Sequence, residues 1–469
     1  MSWDSIFVMR HEVLLLILIL FQLVADLYRG SGKSSHINFT IVFFVLIMIS
    51  GFVPSTDARL FGSMYVSDPL RDLLKNFLNL FVLITLLQSA RWLRKEEHQL
   101  SEGAFYLLLF SSLLGMYFMI SAGDFLMFYL GLELSAIPMT LLAAFDKQLK
   151  RSAEAGIKLL MSSAVSSAML LFGLSIIYGV YGTFHFIEIA VQSNVSALSS
   201  FGLLFFISGL GFKLSLVPFH LWTADVYEGA PLPVTTFLSV ASKGTALFTM
   251  MLLLFNVFGA QTKTWSLALY FLSIVTMVIG VLFAIRQKNM KRFLAFSSIT
   301  QVGFMMLGFM SGSVLAENSI IYFMLIYGLS NLAVFGVLSI VSNATGKETI
   351  ADLNGFYLTN PRLSLIMLLA LFSLAGIPPL SGFFGKLFLF MAVASKGMYG
   401  LLILAVFNAV ISLYYYLLIV KAMFIDKSEA PIPSLTSTMY EKLSFSICLI
   451  GILIFGFSNS IFDFIRSVL

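Results

Sequence analysis

Long apolar segments recur along the whole chain and limit what it can fold into. Hydrophobic residues make up 59% of the 469 residues and charged residues only 11%, against roughly 25% charged residues in a soluble domain. Apolar runs of about 17 to 25 residues match the thickness of a bilayer, in which only helices and closed barrels satisfy every backbone group. The sequence therefore predicts an all-α polytopic membrane protein.

The lengths of these runs, and the charges, glycines and prolines between them, predict about fourteen helical spans. They lie near residues 12–27, 37–54, 72–90, 103–121, 124–145, 156–180, 199–219, 233–257, 266–285, 292–312, 318–342, 362–394 with a break, 400–420 and 443–465. The first run has no small-residue cleavage site, so it is interpreted as a retained helix rather than a signal peptide.

Lysines and arginines are shared unequally between the predicted loops. The odd-numbered loops carry 17 of them, whereas the even-numbered loops and both termini carry 7. The positive-inside rule places the odd-numbered loops in the cytoplasm, so both termini are expected on the outer, periplasmic side. This bias explains the formal net charge of +5 better than a nucleic-acid-binding patch does.

Four lysines stand inside the apolar spans, namely Lys158, Lys213, Lys243 and Lys386. An ionisable side chain at bilayer depth costs roughly 2.5 to 3.5 kcal/mol on insertion scales, and such residues commonly mark ion pathways. The pattern therefore predicts a pathway for protons or cations.

An internal repeat is expected because two sets of five spans share a pattern. The fourth helix of spans 4 to 8 contains Lys213 and then Pro218, and the fourth helix of spans 9 to 13 contains Pro378 and Pro379 and then Lys386. Because five is odd, the second copy enters the membrane inverted, with broken helices 7 and 12 at matching positions. The expected parts are a three-helix segment (1–100), a first repeat (101–258), an inverted repeat (259–425) and a C-terminal loop and helix 14 (426–469).

Acidic residues near these lysines suggest how a proton is moved. Glu133 lies in the middle of span 5 and is interpreted as the only acid at full bilayer depth. A nearby carboxylate favours the charged form of a buried lysine, so a changing distance would switch a lysine between holding and releasing its proton. The alternative for Glu133 is a static ion pair or an acid that serves only helix packing. Glu154 and Lys158 have i, i+4 spacing, which also suits a plain intrahelical pair.

Polar residues follow the break in span 7. His220 comes two residues after Pro218 and either relays protons as an imidazole or caps the broken helix. Asp225 and Glu228 are expected at the interface, as proton uptake groups or as solvated side chains.

The chain offers few ligands for a redox centre. It has one cysteine, Cys448, and five scattered histidines, which excludes an intrachain disulfide and a thiolate cage for zinc or an iron–sulfur cluster. Any redox centre that the function needs is expected in another chain, with no metal or cofactor in this one.

Several sequence runs resemble the antiporter-like membrane subunits of respiratory complex I. They are Gly211–Trp222 with Lys213, Pro218 and His220, Asp225–Pro231 followed by Lys243, Gly131–Leu134, Lys291–Ile299, and Ala375–Pro379 with Gly382, Phe383 and Lys386. These runs extend from about residue 130 to 390, and the fourteen-span layout covers the rest.

The resemblance implies proton translocation driven by quinone reduction elsewhere in the complex. Glu133 and Lys213 match the acid–lysine pair of the family, and Lys243 matches its central lysine. Lys386 matches the lysine of broken span 12, where the sister subunit M usually has glutamate. Lys158 matches a family lysine at the start of span 6.

The resemblance also implies the partners and the location. FMN and iron–sulfur clusters are expected in partner subunits, with NAD and quinone bound elsewhere in the NADH:quinone oxidoreductase. The expected partners are other membrane-arm subunits, including the antiporter-like subunit M and the small subunit K, together with membrane lipid. The expected location is the bacterial cell inner membrane.

Three other functions stay open at this point. The first is a subunit of the related multi-subunit sodium/proton antiporters, which the lysines alone do not exclude. The others are a quinone-binding redox subunit and a membrane scaffold in which the lysine pairs are static.

Overall fold

The computed structural model describes residues 3–28, 36–53, 57–95, 101–192 and 195–469. Arg29 and Lys33, which enter the charge count, lie outside these ranges. Within the described ranges the regular structure is helical, apart from one two-stranded hairpin.

The elements follow one another with short connections. As far as residue 256 they are α1 (Trp3–Val8), α2 (Arg10–Tyr28), α3 (Ile37–Ser50), β1 (Ala58–Leu60), β2 (Tyr65–Ser67), α4 (Pro69–Leu93), α5 (Glu102–Ser121), α6 (Phe125–Ala143), α7 (Lys150–Tyr181), α8 (Phe186–Gln192), α9 (Ala197–Leu214), α10 (Leu221–Gly229), α11 (Leu232–Phe237), a π-helix (Leu238–Ser242) and α12 (Lys243–Asn256). Beyond it they are a 3₁₀ turn (Gly259–Gln261), α13 (Thr262–Ile285), α14 (Met290–Leu307), a 3₁₀ turn (Gly308–Met310), α15 (Val314–Thr345), a 3₁₀ turn (Ala351–Leu353), α16 (Phe356–Thr359), α17 (Pro361–Ala375), α18 (Ser381–Ala394), α19 (Tyr399–Phe424), α20 (Met439–Phe457) and α21 (Ser460–Val468).

Twelve helices of the described chain are long and apolar enough to cross a membrane. The shorter apolar helix α3 and the pair formed by α17 and α18 bring the number of spans to the fourteen that were predicted. The prediction of an all-α polytopic membrane fold is therefore confirmed. The inverted relation between the two repeats stays a prediction.

The loop between spans 2 and 3 forms a small hairpin that the apolar pattern did not predict. β1 pairs antiparallel with β2, with Arg59 opposite Val66. The turn uses left-handed backbone at Phe61, Gly62 and Ser63, where glycine is favoured for lack of a Cβ atom. The hairpin brings the ring of Tyr65 into the protein interior, where the side chain is fully buried.

The chain forms two compact units. The first consists of residues 1–213 and 229–265, and the second of residues 214–228 and 266–469. In the first unit, α4 and the stretch from α11 to α12 lie inside, whereas α2 and α7 are largely exposed. In the second unit, α14 and α15 are the enclosed helices. The enclosed helices carry buried polar residues such as Asn79, Gln301 and Asn331, for which lipid tails offer no hydrogen bonds.

Spans 7 and 12 are broken, as predicted. In span 12, α17 ends at Ala375 and is capped by Gly376 at φ +87°, and α18 begins at Ser381. A Cβ atom on Gly382 would lie 1.7 Å from the Ser373 carbonyl oxygen, so only glycine fits there. In span 7, α9 ends at Leu214. A cis peptide bond precedes Pro218 in one break and Pro379 in the other.

Candidate functional site

Lys213 lies in the last turn of α9 and is 8% exposed. Its Nζ donates a hydrogen bond to the Ser135 hydroxyl and lies 3.5 Å from the Leu132 carbonyl oxygen, both on α6. The Met119 sulfur on α5 lies 3.7 Å from the same Nζ atom. Lys213 is thus held by neutral acceptors on two neighbouring helices.

Two glycines place the α6 turn where Lys213 meets it. A Cβ atom on Gly115 of α5 would lie 2.4 Å from the Ser135 backbone nitrogen. A Cβ atom on Gly131 of α6 would lie 2.8 Å from the Gly115 carbonyl oxygen. Small residues allow membrane helices to approach closely, so α5 and α6 pack tightly and fix the position of the Ser135 hydroxyl.

Glu133 lies between Leu132 and Ser135 on α6, but its side chain contacts α7 rather than Lys213. Its carboxylate accepts a hydrogen bond of 2.6 Å from Ser167 on α7, and the side chain is half-buried. The ion pairs of the described residues do not include one between Glu133 and Lys213. The structure therefore brings the predicted acid and lysine to the same turn of α6 without joining them.

Lys243 is 1% exposed and begins α12 directly after the π-helix. Such π-helical insertions are rare and frequently occur at functional sites. Two hydroxyls that follow Lys243 in the sequence bond to backbone carbonyls of the preceding turn. Thr245 donates to the Ala241 carbonyl at 2.9 Å, and Thr249 donates to the Thr245 carbonyl at 2.7 Å. The sequence indicated the burial of Lys243 but not the π-helix, which leaves no simple periodic signal.

Lys386 lies on α18 and is 4% exposed. Its Nζ donates to the carbonyl oxygens of Leu374 and Ala375, at 2.9 and 2.8 Å. These two residues end α17, the other half of the broken span. The ammonium also lies 4.9 Å from the centre of the Phe304 ring, a cation–π distance. The lysine thus satisfies the carbonyls that the break leaves open.

A chain of hydrogen bonds continues from this lysine site. Gln301 on α14 donates to the Leu374 carbonyl at 3.0 Å and to the Tyr416 hydroxyl at 3.1 Å. The Tyr416 hydroxyl lies 2.5 Å from the Ser297 hydroxyl. Residues from α14, α17, α18 and α19 therefore form one buried polar network in the second unit.

Lys158 and His220 differ from the three buried lysines. Lys158 pairs with Glu154 at 2.7 Å along α7, and its side chain is 43% exposed, as the i, i+4 alternative predicted. His220 is half-buried in the break of span 7, where its Nδ1 atom has no hydrogen-bond partner among the described residues. The roles of both residues stay predictions.

Asp225 and Glu228 both bind Arg292. The guanidinium of Arg292, near the start of α14, donates to Asp225 at 2.7 Å and to Glu228 at 2.8 Å. All three side chains are about one-third exposed. The sequence predicts that Asp225 and Glu228 are either proton uptake groups or solvated side chains. Neither alternative includes an ion pair with Arg292.

Sequence reasoning missed a cluster of buried charges near the N-terminus. Lys75 on α4 is fully buried, and its Nζ contacts Glu12 on α2 at 2.6 Å and the Tyr65 hydroxyl at 3.0 Å. Arg10 donates to Asp72 at 2.6 Å, with both side chains 6% exposed. Glu12 and Asp72 are more buried than Glu133, but they stand in the first turns of α2 and α4. The interpretation of Glu133 as the only acid at full bilayer depth stays a prediction.

The missed cluster left a signal in the sequence. Opposite charges occur within the first turns of α2 and α4, as Arg10 and Glu12 in one and Asp72 and Lys75 in the other. Because Arg10 and Lys75 stand near helix ends, the sequence count places both among the seven basic residues of the even-numbered loops and termini. Among the described residues no group of three or more His, Cys, Asp and Glu side chains is arranged to hold a metal ion.

Buried lysines lie at the two helix breaks and beside the π-helix, in a protein of fourteen apolar spans. This combination defines the class of membrane protein. The protein belongs with the polytopic membrane proteins that carry buried basic residues within bundles of broken helices. Comparison with known proteins then identifies the family.

The sequence model described as "NADH:quinone oxidoreductase/Mrp antiporter, TM" matches residues 122–412. The NADH-quinone oxidoreductase subunit N of Azobacteroides pseudotrichonymphae is 45% identical over all of this chain and 98% of its own length. A chain of respiratory complex I from Thermus thermophilus superposes with a TM-score of 0.80 at 26% identity, covering 95% of this chain and 96% of the other. A chain of the Mrp complex from Dietzia shares the fold, with a TM-score of 0.85 at 19% identity over 100% and 97% of the two chains. The chain therefore belongs to the NADH:quinone oxidoreductase/Mrp antiporter family, within its subunit N group.

Proposed function

We propose that this chain is a proton-translocating membrane-arm subunit of an NADH:quinone oxidoreductase. The observation that carries the proposal is the burial of Lys213, Lys243 and Lys386, each at most 8% exposed inside a membrane helix bundle. Charged groups are kept at such positions where an ion pathway needs them. The full-length similarity to subunit N supports complex I over the Mrp antiporters.

In the proposed mechanism, Lys213 changes its proton occupancy when Glu133 moves. Glu133 now bonds to Ser167 on α7, although it stands on the same turn of α6 as the Lys213 contacts. A rotation of the carboxylate toward Lys213 would favour the charged lysine, and its return to Ser167 would favour release. Lys243 and Lys386 take part in the same transfer as buried proton carriers, and His220 as a relay at the break of span 7.

The exposed face of α7 is the proposed contact with a neighbouring membrane subunit. Ile157, Met161 and Val165 are 60 to 64% exposed on this helix, and Lys158 with Glu154 lies beside them. A lysine on a surface of this kind is costly against lipid and is stabilised by a polar protein neighbour. We place subunit M or subunit K among these neighbours, so that a charge movement there reaches Glu154 and Lys158.

The redox chemistry is placed in other subunits of the complex. We assign FMN, the iron–sulfur clusters, NAD and quinone, together with their ligands, to those chains. We place the protein in the bacterial cell inner membrane with both termini on the outer side.

The test is proton pumping by membranes that carry Lys243→Met in this chain. Pumping is normalised to the amount of assembled complex and to quinone-reductase activity. We expect the ratio of protons to electrons to fall, because methionine fills the same space without a titratable group. Lys396→Met, at an exposed lysine of the loop before α19, is the matched control and leaves the ratio unchanged.

Unchanged pumping by an assembled Lys243→Met complex would contradict the proposal. The antiporter alternative has its own measurement, which is sodium-dependent proton movement in vesicles that contain the purified chain alone. Exchange in those vesicles would favour that alternative.

A further inference from the structure

A cavity of about 650 Å³ lies in the second unit, between the starts of α17 and α20. Part of its wall is the loop segment 434–437, which leads into α20. By the distribution of basic residues, these helix ends are expected on the cytoplasmic side. The cavity is therefore expected at the level of the lipid headgroups of the cytoplasmic leaflet.

Hydrogen bonds fix the shape of the cavity wall. The Asn360 side chain, which is 4% exposed, donates to the Pro433 carbonyl at 3.0 Å and accepts from the Leu435 backbone N–H at 2.7 Å. The loop is thereby tied to the start of α17. At the other end of the loop, the Thr438 backbone N–H donates to Glu441 at 2.6 Å, as part of the capping box that begins α20. Both ends of the loop are held, so the cavity is a built part of the fold.

Two cationic side chains line this cavity, Arg362 from α17 and Lys442 from α20. Both are exposed, and neither takes part in the ion pairs found among the described residues. The described residues that line the cavity include no Asp or Glu. Glu441, the acid next to Lys442 in the sequence, is 3% exposed and bonded in the α20 cap. The cavity therefore carries two positive charges that no acid of its lining balances.

The first turn of α17 adds backbone donors to the same wall. Because the Asn360 side chain is bonded to the loop, it makes no cap hydrogen bond to this helix. The first N–H groups of a helix have no intrahelical partner, and the helix dipole favours anions at that end. Arg362 and Leu363, which carry the first of these N–H groups after Pro361, both line the cavity. Guanidinium, ammonium and helix N–H groups together match the oxygens of a phosphate.

The deeper part of the cavity is apolar. Ile366 comes four residues after Arg362 on α17, and Leu449 comes seven residues after Lys442 on α20. At the rise of an α-helix, these two positions lie about 6 and 10 Å further along their helices than the cations. Phe445, which is 4% exposed, lines the wall between these depths. A free phosphate ion would gain nothing from this apolar wall, whereas a phospholipid has hydrocarbon chains joined to its phosphate.

We propose that this cavity binds the phosphate headgroup of an anionic phospholipid, with an acyl chain along Ile366 and Leu449. The planar guanidinium of Arg362 offers two parallel N–H donors to the phosphate oxygens, and Lys442 adds a second cationic donor. Basic pockets between membrane helices on the cytoplasmic side are suited to anionic headgroups. An anionic lipid is favoured over a zwitterionic one, because the ammonium of a zwitterionic headgroup would lie beside the two cations.

The bound lipid would join the two helices that form the cavity. α17 ends at the Leu374 and Ala375 carbonyls, which accept from Lys386. A lipid that holds the start of α17 against α20 therefore also supports the position of these carbonyls. The inference does not depend on proton transfer by the buried lysines.

The test uses the assembled complex in phosphatidylcholine nanodiscs that contain a trace of phosphatidylglycerol with a photoactivatable diazirine on its acyl chain. After irradiation, cross-linked peptides of this chain are located by mass spectrometry. We expect this lipid to label segments 363–366 and 445–449 about tenfold more than an equal trace of photoactivatable phosphatidylcholine does. Equal labelling by the two lipids would show an ordinary lipid contact and would overturn the proposal.

A double variant tests the two cations. Arg362→Gln with Lys442→Gln should lower the labelling by phosphatidylglycerol about tenfold, since each basic residue at a membrane surface adds to the attraction for anionic lipid. The matched control is Lys288→Gln with Lys427→Gln, which removes two exposed cations outside the cavity lining from the side that is also expected to be cytoplasmic. The control should leave the labelling unchanged. No loss in the first double variant, or an equal loss in both, would contradict the proposal. The comparison of the two lipids needs no variant, so it decides the question even where a variant fails to assemble.

Competition identifies the source of the phosphate group. Unlabelled phosphatidylglycerol should remove the cross-links, whereas inorganic phosphate should not, when sodium chloride keeps the ionic strength constant. Displacement by inorganic phosphate would show a site for a soluble anion and would refute the assignment to a lipid.

Discussion

The buried pair of Lys75 and Glu12 gives a residue-scale prediction about stability. Each side chain is at most 3% exposed, so removing one leaves an uncompensated charge in the interior. Lys75→Met and Glu12→Gln should each destabilise the fold, with about 3 to 5 kcal/mol lost for the lysine change. Thermal unfolding of the detergent-solubilised complex measures the effect.

The double variant Lys75→Met with Glu12→Gln tests the cause. Because it removes both charges, it should recover most of the stability that Lys75→Met loses. Additive losses in the double-mutant cycle would show that the two side chains stabilise the helices independently.

Single residues also show which parts of the candidate site could be predicted from the sequence. Lys213, Lys243 and Lys386 were recognised because each interrupts an apolar run long enough to span a bilayer. Lys75 was missed because it stands six residues after Pro69, close enough to a helix end for a long side chain to reach water. The Ser135 partner of Lys213 was not predictable, since it depends on the close contact of α5 with α6 and on a rotamer.

Among the elements, broken span 12 depends on a glycine at its second half. The Gly382 Cα approaches the Ser373 carbonyl so closely that an added Cβ atom would lie 1.7 Å from the oxygen. Gly382→Ala should therefore separate α18 from α17 and move Lys386 away from the Leu374 carbonyl. We expect a large loss of assembled complex, measured by native gel electrophoresis and quinone-reductase activity.

Gly400→Ala is the control for this prediction. Gly400 also stands near the start of a helix, but nothing lies within 4 Å of its Cβ position. Alanine there should leave assembly intact or improve it slightly, because alanine is the better helix former. Normal assembly of Gly382→Ala would contradict the close contact.

At the same scale, the helices were easier to predict than their irregularities. Span number and the two breaks follow from run length and from the prolines in spans 7 and 12. The β-hairpin and the π-helix did not follow, because three-residue strands and a single wider turn leave no periodic pattern. These irregular elements nevertheless position Tyr65 and Lys243.

For the whole molecule, the burial of charges sharpens the predicted orientation. Two of the seven basic residues counted on the outer side, Arg10 and Lys75, are buried in ion pairs. Lys291, one of the seventeen on the other side, is likewise buried in an ion pair, with Glu348. Setting these three residues aside leaves five against sixteen, so the positive-inside bias is stronger than the sequence count indicated.

Protease sites inserted into two loops measure this orientation. A site between Lys396 and Met398, before α19, should be cleaved by protease added outside intact spheroplasts. A site at Gln287, between α13 and α14, should be cleaved only after the membrane is opened. The opposite result would reverse the orientation and place both termini in the cytoplasm.

The two hydrogen-bonded lysines differ in what they can tolerate once they lose a proton. Ser135 presents a hydroxyl to Lys213, and a hydroxyl can turn from accepting to donating when the ammonium becomes an amine with a lone pair. Leu374 and Ala375 present carbonyls to Lys386, which can only accept. An amine at Lys386 would still donate to both carbonyls, but its lone pair would receive nothing from them. Lys213 is therefore equipped to rest in either protonation state, whereas Lys386 is built to rest charged and to be neutral only in passing.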